Sequence, residues 1–116
     1  MKTVLIITAN EALYTLLCFG LSELSCKFMN AKNGKIGIQK LSTYPIDFVI
    51  TDNQMPITSG LDVISWIKKH HPNIPVCFMS AHQHMGKVAC ELGADLFVEK
   101  PFNSEILSLR EFLEDS

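Results

Sequence analysis

Three polar side chains that could act in one reaction each lie at or just beyond the end of a short apolar run. The side chains are those of Asp52, Ser80 and Lys100, and the runs before them are residues 48–51, 76–79 and 96–98. If these runs are parallel strands, their carboxyl ends meet at one edge of the sheet, and we expect the three side chains to converge there. A carboxylate nucleophile, a hydroxyl donor and an ammonium cation together suit phosphoryl chemistry.

Strand-like runs alternate with helix-like segments along the chain. The predicted strands are residues 4–7, 27–31 (the weakest), 48–51, 76–79 and 96–98, and the predicted helices are residues 11–25, 34–43, 60–70, 84–92 and 103–114. Several of the runs are continuously apolar, which is typical of strands covered on both faces. The alternation predicts an α/β fold with a parallel sheet and helices on both of its faces.

Composition and charge favour a single domain spanning residues 1–116. The chain is 47% hydrophobic and 19% charged, with a formal net charge of −2, which gives no electrostatic reason to expect nucleic acid or an anionic membrane as a partner. No apolar run approaches the roughly 20 residues that a membrane-spanning helix needs, and the N-terminus lacks a signal-peptide pattern. We therefore expect a cytoplasmic protein with no direct nucleic-acid or membrane partner.

The motifs, taken in order, resemble those of response-regulator receiver domains in two-component signal transduction. D-x-x-M-P stands at residues 52–56, Ser-Ala at 80–81 and Lys-Pro-Phe at 100–102. The resemblance covers essentially the whole chain. It implies a doubly wound, flavodoxin-like sheet of five parallel strands in the order 2-1-3-4-5.

The resemblance also implies roles for individual residues. Asp52 would accept a phosphoryl group from a histidine of a sensor kinase or a phosphotransfer protein, and a downstream effector domain or protein would respond. Ser80 would bind a phosphoryl oxygen, and Lys100 would pair with Asp52 and then with the phosphoryl group. The ring of Phe97 would change rotamer as Ser80 moves. Catalysis would be limited to the domain's own phosphorylation and dephosphorylation.

Three further expectations follow from the resemblance. Gln54 and His82 occupy the positions, two residues after Asp52 and Ser80, that influence how long the phosphate persists. The Lys100–Pro101 peptide bond would be cis, a minority state even before proline.

The end of the first predicted strand departs from the family pattern. Receiver domains normally carry two acidic residues there, which hold Mg²⁺ together with the phosphoacceptor and a backbone carbonyl, but this chain has Thr8 and Ala9. Recruiting Asn10 or Glu11 instead would pull a buried strand out of register. Asp52 and the carbonyl of Gln54 remain as weak Mg²⁺ candidates, and no other cofactor is predicted.

This departure leaves three hypotheses open. Asp52 could still be phosphorylated, or the chain could be a pseudo-receiver that binds a protein partner without phosphate. A flavodoxin-like binder of a nucleotide or another small ligand is a third alternative, although the chain lacks a glycine-rich phosphate loop after the first strand.

The first predicted helix is unusually apolar and could bind a partner. We assign its core stripe to Leu13, Leu16, Leu17, Gly20 and Leu24. Tyr14, Cys18 and Phe19 fall outside that stripe, where a solvated helix would carry charges. They form a candidate partner surface, because kinases and phosphotransfer proteins dock on this helix in receiver domains.

Overall fold

The computed structural model describes residues 1–100 and 105–114, and in it five strands alternate with five helices. The elements are β1 (Lys2–Ile7), α1 (Glu11–Gly20), β2 (Cys26–Ala31), α2 (Gly34–Thr43), β3 (Phe48–Asp52), α3 (Gly60–His70), β4 (Val76–Ser80), α4 (Gln83–Glu91), β5 (Leu96–Glu99) and α5 (Glu105–Glu114). The predicted cis bond at Pro101 and the predicted start of the last helix at residue 103 lie outside the described residues.

All five strands are parallel and lie in the order β2-β1-β3-β4-β5, as predicted. β1 lies between β2 and β3, where Val4 pairs with Phe28 on one side and Phe48 on the other. The order reverses between β1 and β3, so the carboxyl ends of these strands flank the crevice in which such sheets bind ligands.

Continuous apolar runs are explained by burial on both faces of the sheet. Val4 and Ile6 point into the α1–α5 cluster, which also contains Leu17 and Leu109. The alternate residues of β1 point into a second cluster with α2, α3 and α4, the α2–α4 cluster. Because successive side chains of a strand point to opposite faces, a strand covered on both sides must be apolar at every position.

The first helix is shorter than predicted, because it ends at Gly20 and not at residue 25. Glycine is a poor helix former, and the next residues form tight turns, with Ser22 N–H donating to the Phe19 carbonyl and Leu24 N–H to the Leu21 carbonyl. These turns lead directly into β2.

α4 packs on the sheet more thinly than its neighbour α3. α3 buries the large side chains of Val63, Ile64 and Ile67, whereas the buried residues of α4 are the small Gly86 and Ala89. The apolar side chains of Val88 and Leu92 beside them remain exposed.

Candidate functional site

The carboxyl ends of the strands enclose a cavity of about 350 Å³. The structure brings Asp52, Ser80 and Lys100 together in its wall, as their positions at strand ends led us to expect. The lining also includes Ala9, Asn10, Asn53, Gln54, Ala81 and His82. Asp52 is the one carboxylate among these described lining residues.

Asp52 is the last residue of β3 and is 6% exposed. Its Oδ1 atom accepts hydrogen bonds from the Asn53 N–H at 2.9 Å and from the Lys100 ammonium. Its Oδ2 atom accepts one from the Thr8 hydroxyl at 3.1 Å. Both carboxylate oxygens are therefore held by the chain's own donors, one of them a cation.

The backbone of Asp52 is fixed by the start of α3. The Gly60 N–H donates to the Asn53 carbonyl at 2.9 Å, and a Cβ atom on Gly60 would stand 2.2 Å from the Asp52 carbonyl oxygen. Only glycine allows so close an approach of α3, and this approach sets the position of the carboxylate.

Ser80 ends β4 and its hydroxyl is directed by its neighbours. Ser80 Oγ accepts from the His82 N–H at 3.0 Å, and the Asn53 side-chain amide donates to it at 3.5 Å. The Ser80 carbonyl accepts the Lys100 N–H at 3.0 Å. That bond ties the backbone of β4 to the residue that carries the ammonium group.

The predicted register of β1 is correct, and it leaves Asn10 and Glu11 away from Asp52. The Asn10 side chain caps α1 by accepting the Leu13 N–H at 3.1 Å. The Glu11 carboxylate is largely exposed and lies 3.9 Å from the ammonium of Lys32. The residue at the end of β1 that does contact Asp52 is Thr8, which is buried.

The residues at this edge do not fit a resident Mg²⁺ ion. Mg²⁺ takes oxygen ligands in octahedral geometry and is usually held by carboxylates, but Asp52 is the single carboxylate among the described lining residues, with the Gln54 backbone as the other candidate, and both Asp52 oxygens already accept hydrogen bonds. Ala9 has no ligand atom in its side chain. Over residues 1–100 and 105–114, no group of three or more histidine, cysteine or acidic side chains could hold a metal ion.

The candidate switch and phosphate-lifetime residues lie around the same edge. The half-buried ring of Phe97 lies 6.3 Å from that of Phe78, centroid to centroid. His82 is exposed as the N-cap residue of α4, and its ring lies 5.8 Å from that of His84. Gln54 is exposed at the cavity wall. These positions are compatible with the predicted roles, which stay predictions.

The surface of α1 differs from the one predicted. Leu16, which we assigned to the core stripe, is 48% exposed, and that assignment was wrong. Tyr14 and Cys18 are half-buried against the α1–α5 cluster, while Phe19 is 80% exposed. The predicted stripe therefore does not match the buried side of α1. The large apolar side chains that α1 exposes to solvent are those of Leu16 and Phe19.

Leu16 and Phe19 line a shallow apolar groove with Glu11, Ala12 and Thr15. The groove starts at the first turn of α1, next to the cavity wall at Asn10. We refer to these five residues as the α1 groove.

Burial changes the acidity of Tyr14 on the inner side of α1. Loss of hydration is the main cause, and a hydrogen bond with Cys18 adds to it, so that the pKa of Tyr14 rises to about 12. Tyr14 is thus a packed and neutral member of the α1–α5 cluster.

Two contributions to the site were missed by reasoning from the sequence. Asn53 supplies a backbone N–H to Asp52 and a side-chain amide to Ser80. Thr8 was noted for the acid that it replaces and not for the hydroxyl that it carries. The position of Thr8 directly after a buried strand was the available signal, since that is where side chains reach the ligand crevice.

Comparison with known proteins identifies the family. The model of the response regulator receiver domain matches residues 4–110. The receiver structure of the response regulator TrrA from Thermotoga maritima, in complex with Mg²⁺ and BeF, superposes with a TM-score of 0.88 at 28% identity, covering 99% of this chain and 98% of that one.

Two curated relatives extend beyond the matched region. The transcriptional regulatory protein PhoP of alkaline phosphatase synthesis in Bacillus subtilis is 26% identical over 94% of this chain, which spans 46% of PhoP. A probable cyclic di-GMP phosphodiesterase of Vibrio cholerae is 38% identical over 69% of this chain and 19% of its own length. The chain thus spans about half or less of the length of these relatives.

Proposed function

Because the chain belongs to the response regulator receiver domain family of two-component signal transduction, we propose that Asp52 accepts its phosphoryl group from a histidine of a sensor kinase or phosphotransfer protein. The observation that carries this proposal is the pairing of Asp52 with Lys100 in a cavity that contains no other carboxylate among its described lining residues. A nucleophile and a cation held together at the mouth of a crevice are the minimum that phosphoryl transfer requires.

The transfer proceeds by attack of an Asp52 oxygen on the phosphorus of a phosphohistidine. A new O–P bond forms, the P–N bond breaks, and its electron pair returns to the imidazole nitrogen. Lys100 then pairs with the phosphoryl oxygens as well as with the former carboxylate, and the Ser80 hydroxyl donates to another phosphoryl oxygen. Both groups stabilise charge where it develops. This limited self-catalysis is the only reaction proposed for the domain.

The two alternatives are less well supported. The named relatives include response regulators, which favours phosphorelay signalling over a pseudo-receiver. A nucleotide-binding protein of flavodoxin type would need a phosphate-binding loop after β1, and that segment is occupied by Thr8, Ala9 and the cap residue Asn10.

The output of the domain is proposed from the same comparison. Since the chain spans less than half of PhoP, we propose that phosphorylation changes how this domain contacts an effector domain or protein. The cytoplasm is the proposed location, as is typical of regulators with a receiver domain. Within residues 1–100 and 105–114, none of the helices has the length and hydropathy of a membrane span.

The proposal is tested by labelling with phosphoramidate and acetyl phosphate, read as intact mass. The wild-type chain should gain one phosphoryl group, and Asp52→Asn should gain none. Asp62→Asn is the matched control, because Asp62 is an exposed carboxylate on α3 that does not line the cavity. Equal labelling of wild type and Asp52→Asn would overturn the proposal, as would an unlabelled wild type.

A further inference from the structure

We propose that the hydroxyl of Thr8 holds the Asp52 carboxylate in place of a cation, so that this site takes up its phosphoryl group without a bound divalent metal. The inference rests on the proposed function and deepens it, because it identifies Thr8 as a positioning residue for Asp52. Four observations carry it: the anchoring of Thr8, the direction of its proton, the hydrogen bonds on both Asp52 oxygens and the lack of a second carboxylate among the described residues that line the cavity.

Thr8 is anchored on every side. Its N–H donates to the Ala31 carbonyl at 2.9 Å, and its own carbonyl accepts from the Asn30 side-chain amide at 3.4 Å. The residue is 1% exposed, and threonine is branched at Cβ, which limits its side chain to few rotamers. The hydroxyl is therefore presented to Asp52 from a fixed position.

The single proton of that hydroxyl is directed at Asp52. Thr8 Oγ1 accepts the Asn10 N–H at 3.1 Å and lies 3.1 Å from Asp52 Oδ2. A hydroxyl group has one proton and two lone pairs. With a lone pair taken by the Asn10 N–H, and with a carboxylate as the other neighbour, the proton is donated to Oδ2.

A cation at Asp52 would compete with hydrogen bonds that the chain already makes. Oδ2 is bonded to Thr8, and Oδ1 is bonded to Asn53 and to the Lys100 ammonium. The positive charge of the Lys100 ammonium also repels a metal ion that would bind at Asp52. The neighbouring Ala9 side chain has no oxygen to offer, so Asp52 is the one carboxylate that the described lining residues present to Mg²⁺, and it is already paired with the Lys100 ammonium.

The consequence for phosphoryl transfer is that it no longer depends on Mg²⁺, and its rate changes as well. Lys100 and Ser80 remain to neutralise and orient the phosphoryl oxygens, and Thr8 keeps Asp52 oriented throughout. A hydroxyl does not neutralise charge as a metal ion does, so transfer is slower than in a site with a metal. It should, however, proceed equally well with Mg²⁺ and with a chelator.

The first test is a titration with MgCl₂ followed by amide chemical shifts. In the wild-type chain, the amides of residues 8–10 and 52–54 should show no saturable shift. The Thr8→Asp/Ala9→Asp variant should show saturable shifts at those residues over the same concentrations. Saturable shifts of wild type with an affinity equal to that of the double variant would overturn the inference.

The second test measures the rate of labelling by phosphoramidate in EDTA and in MgCl₂. Wild type should label at the same rate in both, while the double variant should be faster in MgCl₂. Thr8→Val keeps the shape of the side chain and removes the hydroxyl, so its rate should fall about tenfold or more, the equivalent of one hydrogen bond to a charged group. Thr8→Ser should restore the rate to within about threefold of wild type. Thr43→Val, which removes an exposed hydroxyl outside the cavity, is the control.

The outcomes separate this inference from the proposed function. Wild type labelled only in MgCl₂ would keep the proposed function and overturn the inference. Equal rates for Thr8→Val and wild type, with both folded by circular dichroism, would overturn the positioning role. A wild type that is labelled under neither condition overturns the proposed function and, with it, metal-free phosphoryl transfer; the MgCl₂ titration then still decides whether the site excludes the cation.

Discussion

The ring of Phe97 in β5 lies directly on Gly86 of α4, so closely that a Cβ atom on Gly86 would stand 2.4 Å from the ring. The contact joins the predicted switch residue to a helix that borders the cavity through His82. The position of the ring therefore depends on the absence of a side chain at residue 86.

Substitution of Gly86 should destabilise the fold even though it improves the helix. Alanine raises the intrinsic helix stability by about 1 kcal/mol, but the clash with Phe97 should cost about 1–3 kcal/mol. We expect Gly86→Ala to lower the free energy of unfolding in urea. In a Phe97→Leu background, where the ring is gone, the same change should raise it. A stabilised Gly86→Ala single variant would contradict the packing described here.

Removal of the Lys100 ammonium should cost stability because Asp52 is buried. The side chain of Asp52 is 8% exposed and that of Lys100 is 28% exposed, so Lys100→Met leaves a carboxylate with a hydroxyl and one N–H as its remaining donors. We expect a loss of about 1–3 kcal/mol in urea unfolding. Lys87→Met, at an exposed position of α4, is the matched control and should change little. An unchanged midpoint for Lys100→Met would show that the ion pair contributes nothing.

The titration of Tyr14 should be displaced to high pH in the folded state. In a Tyr44→Phe variant, which leaves Tyr14 as the single tyrosine of the chain, absorbance at the phenolate band after a rapid pH jump should give a midpoint near 12, compared with the ordinary value of 10.0. Cys18→Ala should lower this pKa part of the way, because burial, the larger cause, remains. Cys90→Ala, at an exposed position of α4, should leave the pKa of Tyr14 unchanged.

Because the pKa of Tyr14 is raised, the free energy of unfolding should fall at alkaline pH. The pKa of Tyr14 is raised in the folded state, so the unfolded chain loses this proton first as the pH increases. The neutral phenol therefore makes its full contribution to the free energy of unfolding below about pH 10, and this contribution is lost as the pH rises from 10 through 12. Tyr14→Phe should remove this part of the pH dependence, and an unaltered profile in that variant would exclude Tyr14 as its source.

Phosphoryl transfer from a protein donor should depend on the α1 groove, whereas transfer from a small molecule should not. Leu16→Ser and Phe19→Ser remove exposed apolar surface, so we expect slower transfer from a phosphorylated histidine kinase or phosphotransfer protein and unchanged labelling by phosphoramidate. Leu92→Ser, which removes a comparably exposed leucine after α4, should affect neither rate. Equal losses with both kinds of donor would indicate damage to the fold.

The parallel sheet and the convergence at the cavity could be predicted because they follow from simple patterns, whereas the strand order was implied by the resemblance to receiver domains. The continuous apolar runs required two-sided burial, and parallel strands place Asp52, Ser80 and Lys100 at one edge. The register of β1 was equally constrained, since the slip needed to recruit Asn10 or Glu11 would pull the buried run of residues 4–7 out of register with the core.

The surface of α1 and the bonds of Thr8 could not be predicted from the same patterns. α1 buries Leu13 and Leu17 and leaves Leu16 exposed, although all three are leucines, so the apolar pattern alone does not tell which of them faces the sheet. The Thr8 contact depends on a distance of 3.1 Å across two strands. A local pattern contains no such distance.

The thin packing of α4 has a consequence for local unfolding. A helix whose fully buried residues are the small Gly86 and Ala89, with Met85 half-buried beside them, loses little buried apolar surface when it detaches, so the free energy of its opening is low compared with that of α3. Its amide hydrogens should therefore exchange with solvent before those of α3 and of the central strands. A partner that contacts His82 or the ring of Phe97 therefore acts on a helix that opens more easily than α3.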